Sequence, residues 1–472
     1  MSFAWNALPA EIWLSGILPE LPPASLAQLC ATCSVFLAMG RPILFRTVVL
    51  RSERNKLPNP AIEPVLALLE RNTELARRVH ALVLDATSAP DRAARNPCLI
   101  HAPSLSNMIS LKRLTILESI ELTAGRGDIQ RFIDIIHERQ LDELAFPSVF
   151  VRPFLLPLQE SQQEKLGNPK RLVFYLAADR HDLLAPVMTR IFTAAQPTLT
   201  SLSIRAPTTT LMHLFALRFP NLRSLEATVF VEGANGTTPA GFYEFLCAHD
   251  TLEELFLTPP TFWNWERQTM RDDGGLSLSE TFTVPPTFLP NLRVLRASFQ
   301  TLEALGRSRV ESLQKITSLT VTNLPFVEPT STADGVAAYR RALQAVRDTQ
   351  KTLPSLLEFE LDLFFWYYFG TQAVLSEFAE RIAALAGETL ELFGGLPMMD
   401  AFPGPAFPRL RRILCPQQSY EEDWDAEGVS SLFGSCQSLS EVVVIRALSS
   451  AEQRKAGNGK RHSKNVFSKP ET

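Results

Sequence analysis

Cysteine is scarce in this 472-residue sequence, and neither sign of charge dominates it. The six cysteines are spread from Cys30 to Cys436, which predicts reduced, mostly packed thiols rather than a disulfide framework. The 46 basic and 50 acidic residues give a formal net charge of -4. Because so small an imbalance produces no overall field, we expect neither nucleic acid nor a membrane surface as a partner.

The sequence also lacks the segments that direct a chain into or across a membrane. No basic region followed by an apolar core opens it, so no secretory signal peptide is predicted. Residues 21–40 are uncharged, but Pro22, Pro23 and several polar side chains interrupt them, and a buried helix is favoured over a membrane span. A cytoplasmic or nuclear location is therefore expected.

None of the common catalytic signatures is present. The seven histidines form no HExxH motif, and no GxSxG turn occurs. Cys30-x-x-Cys33 has redox or metal spacing, yet no second pair accompanies it and both thiols fall on the apolar face of a predicted helix. A Gly-rich segment near the C-terminus has Arg454 and Arg461 where a phosphate loop needs Gly and Ser or Thr. We predict no enzyme activity, cofactor or metal; the alternative is an unrecognised site in the insert at 259–286.

Residues 8–50 predict a bundle of three short helices, because apolar residues recur at helical spacing in segments that Pro and Gly separate. Ser25 and Gln28 have the spacing of a capping box at the start of the second helix. Gly40 is predicted to end that helix and Pro42 to begin the third. The predicted buried face of the second helix comprises Leu26, Leu29, Cys30, Cys33, Phe36 and Leu37.

The order and spacing of several motifs in this bundle match a known module. They are Leu8-Pro9-x-Glu11-Ile12, Ile17-Leu18 with Leu21-Pro22, Leu26-x-x-Leu29, and Cys33-x-x-Phe36 ahead of Leu44-Phe45-Arg46. The bundle resembles the F-box, which binds the Skp-type adaptor of Skp, cullin, F-box (SCF) ubiquitin ligases. The resemblance implies that exposed apolar side chains dock on the adaptor, and the candidates are Leu8, Pro9, Ile12, Ile17, Leu18, Leu21 and Leu26. The alternative is a helical hairpin that only caps the segments after it.

A second pattern, apolar-x-x-apolar-x-apolar, recurs at a mean interval of about 30 residues through most of the chain. Each copy alternates like a strand, so every repeat is predicted to add one parallel strand. Segments between copies, including 337–346 and 374–385, have helical spacing. The middle apolar positions are Leu82, Leu114, Leu144, Leu172, Leu202, Leu225, Leu255, Leu295, Leu319, Phe359, Phe393, Ile413 and Val442.

This periodicity resembles the leucine-rich repeat, which implies an α/β solenoid with a parallel sheet on its concave side and helices or loops outside. The usual asparagine is missing and the repeats differ in length, so an irregular solenoid is expected. Ordinary α/β strands in a closed sheet are the alternative. The predicted organisation is a three-helix F-box at 1–50, a connector helix at 51–74, the repeats at 75–448 and a disordered basic tail at 449–472.

An F-box joined to leucine-rich repeats resembles the substrate receptors of SCF ubiquitin ligases. The family implies a Skp-type adaptor and, through it, a cullin as partners, with a protein substrate held by the repeats. Alternation turns the side chains between apolar anchors outward, and the predicted substrate-binding residues are Arg205, Glu226, Phe256, Arg296, Thr320, Glu360 and Asp362. A binding scaffold that works without a cullin is the alternative. The insert at 259–286 and the aromatic cluster at 363–369 are further candidate binding surfaces, with disorder or core packing as the competing predictions.

Overall fold

The chain folds into two compact units in a computed structural model. The structure describes residues 9–51, 62–85, 102–117, 138–146, 168–175, 185–230, 241–257, 284–322, 353–361, 372–395, 402–416, 426–447 and 462–469. The first unit comprises residues 1–177 and 186–198, and the second comprises residues 178–185 and 199–472. The predicted limits of the F-box, connector and repeats do not coincide with this division and stay predictions.

The first unit begins with helices and continues with strands and helices in alternation. Its helices are α1 Ala10–Ile12, α2 Pro23–Thr32, α3 Ser34–Leu44, α4 Ile62–Arg71, α5 Thr73–Ala76, α6 Ala102–Asn107 and α7 Ala185–Ala195. A π-helical turn at Trp13–Ile17 and a 3-10 turn at Leu18–Glu20 connect α1 to α2. Its strands are β1 Thr47–Arg51, β2 Ala81–Asp85, β3 Arg113–Leu117, β4 Glu143–Phe146 and β5 Arg171–Tyr175.

The second unit continues the alternation of strands and helices. Its strands are β6 Ser201–Pro207, β7 Ser224–Phe230, β8 Glu254–Phe256, β9 Val294–Ser298, β10 Ser318–Thr322, β11 Glu358–Leu361, β12 Leu392–Gly394, β13 Arg412–Pro416, β14 Glu441–Ala447 and β15 His462–Ser468. Its helices are α8 Thr208–Phe215, α9 Phe242–Cys247, α10 Phe299–Arg307, α11 Gln372–Ala386 and α12 Ala426–Ser435, with 3-10 turns at Glu311–Lys315 and Gly404–Ala406.

Each strand within a unit pairs with the strand that follows it in the chain. The pairing is parallel from β1 to β5 and from β6 to β14, and only β15 runs antiparallel to its neighbour β14 among the described strands. The predicted α/β class with a mostly parallel sheet is confirmed, and each predicted copy from Leu82 to Val442 supplies one strand.

Strand β15 corrects the prediction that residues 449–472 form a disordered tail. Residues 462–468 pair with β14 from Ala447↔His462 to Glu441↔Ser468. The composition of the tail indicated disorder because its basic residues outnumber its acidic ones, but pairing satisfies backbone groups that would otherwise stay open at the edge of the sheet. Residues 448–461 and 470–472 lie outside the described residues.

Strand β1 is a second strand that the sequence pattern did not predict. It pairs in register with β2, from Thr47↔Ala81 to Arg51↔Asp85. The predicted F-box ended at residue 50, so the sheet begins inside the segment assigned to the helical bundle. Val48 and Leu50 of this strand are buried, as the alternation of a strand with one packed face requires.

In nine of the described repeats, a buried residue three places before the first anchor closes a turn that leads into the strand. The amide of Leu222 donates to the carbonyl of Phe219 at 3.1 Å, and the amide of Leu252 donates to that of His249 at 3.2 Å. The buried residues in this place with such a bond are Ala76, Met108, Phe219, His249, Leu289, Leu313, Leu353, Phe407 and Cys436. The repeat therefore has one more packed position than the sequence pattern indicated.

Consecutive repeats are connected by backbone and side-chain hydrogen bonds. The carbonyl of Arg223 accepts from the amides of both Glu253 and Glu254, at 2.8 and 2.9 Å, and the same arrangement recurs at other strand starts. The residue before the first anchor adds a hydroxyl bond to the previous repeat: Thr198 to Pro169, Thr251 to Leu222, Thr389 to Leu356 and Ser438 to Leu410. These hydroxyls connect repeats that lack the asparagine of typical leucine-rich repeats.

The N-terminal helices differ in detail from the prediction. Helix α2 begins at Pro23 with Pro22 as its N-cap and no side-chain cap, so the capping box of Ser25 and Gln28 is wrong. Proline at the first helical position needs no amide partner, which makes this start favourable. Cys33 has extended dihedrals, φ -158° and ψ 161°, and divides the predicted second helix in two.

Helix α3 runs through Gly40 and Pro42, neither of which ends or begins a helix there. Glycine is needed at position 40 because the side chains of α2 approach its Cα closely. A Cβ here would meet the Sγ of Cys30 and the Cδ1 of Leu26. The core of the bundle consists of Leu18, Leu26 and Cys30, with Trp13 packed edge-on against Phe36.

Candidate functional site

The predicted adaptor-binding residues divide into exposed and buried ones. Pro9 and Ile12 are exposed, and Ile17 and Leu21 are half-buried. Leu18 and Leu26 are 0% and 3% exposed and pack in the core of the bundle, so they stabilise it and are not on its surface. Leu8 lies outside the described residues.

Further apolar side chains are exposed on the same bundle. They are Leu14, Val35 and Leu37, at 45%, 41% and 45% exposure. The sequence pattern predicted that Leu37 is buried, because residues 25–40 have the spacing of one continuous helix. The break at Cys33 starts a new helix whose phase is independent of α2, so Phe36 packs inward while Leu37 is exposed. Together with Ile12, these residues are called the bundle surface below.

The thiol of Cys30 has a structural environment. It donates to the carbonyl of Phe36 at 3.4 Å, and burial raises the pKa of the thiol. A thiol whose pKa is raised supplies little thiolate, the form that reacts and binds metals. Within the described ranges, no three His, Cys, Asp or Glu side chains are grouped so that they would hold a metal ion. The helices that the structure describes are also too short or too polar to cross a membrane.

Five of the predicted substrate-binding residues lie in one row across the second unit. They are register partners on adjacent strands from β7 to β11. Glu226 is opposite Phe256, Phe256 is opposite Arg296, Arg296 is opposite Thr320, and Thr320 is opposite Glu360. All five are half-buried. We call them the polar row; the sequence predicted their outward direction, and the uniform register of the strands brings them together.

The opposite face of the same strands carries the packed anchors. Leu225, Leu255, Leu295, Leu319 and Phe359 are each at most 3% exposed. Helix α8 contacts β6 and β7, and α10 contacts β9. Adjacent residues of a strand point to opposite faces, so burial of the anchors leaves the polar row on the other side.

Two predicted residues are not in the row. Arg205 is paired in register with Thr228, two residues beyond Ser203 and Glu226 on the same two strands. Asp362 lies outside the described residues. Ser203, which strand alternation also predicts to point outward, extends the row on β6. Its hydroxyl donates to Oε2 of Glu226 at 2.6 Å and holds that carboxylate in place.

Arg296 occupies the centre of the polar row. Its Nε is buried and has no hydrogen-bond partner among the described residues. Buried donors are normally satisfied, so this nitrogen is an exception within the row. The guanidinium brings a positive charge to the centre of the row.

The two other surfaces that the sequence suggested are not described. The aromatic cluster at 363–369 lies outside the described residues, as does the insert at 259–286 apart from residues 284–286. Their proposed roles in binding stay predictions.

Comparison with known proteins adds no family assignment. No protein-family model matches the chain. No curated protein is significantly similar to it.

Proposed function

We propose that this chain is a non-catalytic substrate receptor of an SCF-type ubiquitin ligase. Its N-terminal bundle would bind a Skp-type adaptor, and the face of the second unit that carries the polar row would bind the protein substrate. The observation that supports adaptor binding most directly is the set of exposed apolar residues on the bundle surface, which surround a compact core. The proposal requires that these residues form one patch, since contiguous exposed apolar area is typical of a protein interface.

Apolar side chains of the bundle surface would contribute to the binding free energy of such a complex. Burying an aliphatic side chain that is otherwise exposed contributes about 1.5–3 kcal/mol. Ile12, Leu14, Val35 and Leu37 are each close to half exposed, so each would contribute part of that range on binding. Their sum has to exceed the cost of association, and Pro9 and the half-buried Ile17 would add to it.

The repeats would act as an irregular leucine-rich-repeat solenoid. One parallel strand per repeat, paired in chain order, supports this part of the proposal. In ligases of this class a separate RING subunit and its conjugating enzyme transfer ubiquitin. The chain would therefore raise the local concentration of substrate near those subunits, and no bond-making group of its own is needed.

A charge-insertion experiment tests adaptor binding. The variant Ile12→Asp with Leu14→Asp should lose binding to a purified Skp-type adaptor, measured by biolayer interferometry on the full chain. The control variant Ile109→Asp alters a side chain that is 52% exposed outside the bundle, and it should bind as the wild type does. Unchanged adaptor binding by the double variant would contradict the proposal.

A scaffold that works without a cullin is the second candidate. It is favoured by the burial of Leu18 and Leu26, two of the residues that the resemblance assigned to the adaptor interface. The two candidates differ in whether a cullin accompanies the chain when it is purified from cells.

A further inference from the structure

The polar row has an ordered sequence of charges. Across the strands it runs acidic, aromatic, basic, hydroxyl, acidic, from Glu226 through Phe256, Arg296 and Thr320 to Glu360. The two glutamates therefore stand two strands to either side of the arginine. A ligand that crosses the strands along this row would meet negative, positive and negative charge at equal intervals.

Neighbouring outward positions strengthen the acidic ends of the row. Glu254 lies two residues before Phe256 on β8, and Glu358 lies two residues before Glu360 on β11. Side chains two residues apart on a strand share a face, so both of these carboxylates add negative charge to the face that carries the row. The centre of the row has the guanidinium of Arg296, whose buried Nε lacks a partner among the described residues.

The distance between charges selects the backbone conformation of the ligand. Adjacent strands lie about 4.8 Å apart, so charges two strands apart are separated by about 10 Å. A polyproline II segment repeats every three residues and rises about 3.1 Å per residue, which brings side chains at i, i+3 and i+6 onto one face about 9 Å apart. A β-strand ligand would instead present same-face side chains about 7 or 13 Å apart, which does not match.

We propose that the polar row binds a polyproline II segment of the substrate with the pattern basic-x-x-acidic-x-x-basic. This inference rests on the substrate-binding role proposed above. The two basic residues would pair with the acidic ends of the row, and the acidic residue would accept hydrogen bonds from Arg296. Phe256 lies beside Arg296 and offers an aromatic side chain of the kind that proline rings pack against.

Fluorescently labelled peptides binding to the full chain test this inference by anisotropy at low ionic strength. The matched probe is Lys-Pro-Pro-Glu-Pro-Pro-Lys, and the control probe Lys-Pro-Glu-Pro-Pro-Pro-Lys has the same composition with the acidic residue moved off the shared face. The matched probe should bind about tenfold more tightly, because only it presents all three charges to the row. Equal binding of the two probes, or no binding of either, would overturn the inference.

Variants of the protein locate the contact. Arg296→Glu should weaken binding of the matched probe about tenfold or more, and Arg296→Gln, which keeps a polar side chain, should weaken it as well. Arg293→Glu makes the same charge change at an exposed position before β9, outside the row, and should leave binding unchanged. Equal effects of Arg296→Glu and Arg293→Glu would contradict the assignment.

Failure here is distinguishable from failure of the proposed function. Adaptor binding, measured on the same preparation, depends on the bundle surface and not on the polar row. If the adaptor binds while the probes are not distinguished, only the ligand pattern is wrong. If the adaptor does not bind, the ligase role fails whether or not the peptides bind.

Discussion

Gly40 is a residue whose small size the N-terminal bundle requires. A Cβ there would lie 3.1 Å from Cδ1 of Leu26 and closer still to Sγ of Cys30, both in the bundle core. Glycine to alanine inside a helix ordinarily stabilises a protein by up to about 1 kcal/mol. Here the overpacked contact reverses the sign, and we predict that Gly40→Ala destabilises the bundle by about 1–3 kcal/mol.

Hydrogen–deuterium exchange of the α2 and α3 amides measures this effect locally. The matched control is Gly16→Ala in the same bundle, where nothing lies within 4 Å of the added Cβ. Slower or unchanged exchange in Gly40→Ala would show that the helices pack differently from the arrangement described.

His249 is a polar residue in a position where most repeats have an apolar side chain. Its Nε2 accepts from the amide of Phe219 at 2.8 Å, and its Nδ1 donates to the carbonyl of Phe245 at 2.5 Å. These two bonds require the neutral ring, which is 1% exposed and packs against the ring of Phe245. We predict that His249→Ala destabilises the second unit by about 3 kcal/mol, because it leaves a cavity and an unpaired amide. The exposed His213→Ala serves as the control in urea unfolding and should change stability little.

The same histidine makes stability depend on pH. Burial lowers the pKa of His249 from its usual 6.5, which outweighs the opposing effect of its bond to Phe245; among nearby charges Arg218 also lowers the pKa and Asp250 raises it. A lowered pKa in the folded state means that the unfolded chain binds the proton more tightly. The stabilisation is therefore complete above about pH 6.5 and is lost as pH falls toward the lowered value.

The pH effect has a specific reporter. Local opening returns the ring of His249 to its usual pKa of about 6.5, and protonation of Nε2 in the opened state removes the acceptor of the Phe219 amide. Exchange protection of that amide should therefore decrease as pH falls below about 6.5, relative to other buried amides. Exchange measured from pH 5 to 8, corrected for intrinsic rates, would detect it. Constant relative protection over this range would contradict the assigned proton position.

At the scale of elements, the repeats are held together by a recurring hydroxyl bond. Oγ1 of Thr251 donates to the carbonyl of Leu222 at 2.7 Å, across one repeat boundary. We predict that Thr251→Val, which keeps the shape and removes the donor, lowers the free energy of unfolding by about 1 kcal/mol. Thr251→Ser retains the hydroxyl and should restore most of the loss in urea unfolding. Equal effects of Val and Ser would mean that shape, not the hydrogen bond, matters at this position.

The sequence predicts the strands well because their signal is local. Alternating anchors such as Leu255 and Leu295 mark the packed face of each strand, and alternation alone also fixes which side chains point away. The register that brings the outward residues into one row follows once every repeat begins its strand at the same anchor. Most members of the polar row could therefore be predicted from the sequence alone.

Features that depend on tertiary contact were not predictable in the same way. A pattern built only from apolar residues cannot predict that His249 packs three residues before an anchor. Strand β15 follows a basic segment whose composition indicates disorder, and it forms because the edge of β14 accepts it. In the bundle, burial of Leu18 and Leu26 depends on how two helices meet at Cys33, which helical periodicity does not specify.

At the scale of the whole molecule, we propose that the first unit binds the adaptor and that the second binds the substrate. The bundle surface and the polar row share no residue, so changes to one should leave binding at the other intact. Changes to sites that share no residues or partners usually act independently. Ile12→Asp with Leu14→Asp should accordingly leave binding of the matched peptide unaltered, and Arg296→Glu should leave adaptor binding unaltered.

The most direct test of the central claim is purification of the full chain from cells, with mass spectrometry of the proteins that accompany it. We expect that a Skp-type adaptor and a cullin are recovered with the wild type and lost with the Ile12→Asp, Leu14→Asp variant, while the Ile109→Asp variant retains both. Recovery of neither the adaptor nor the cullin with the wild-type chain would contradict the claim that it is a ligase receptor.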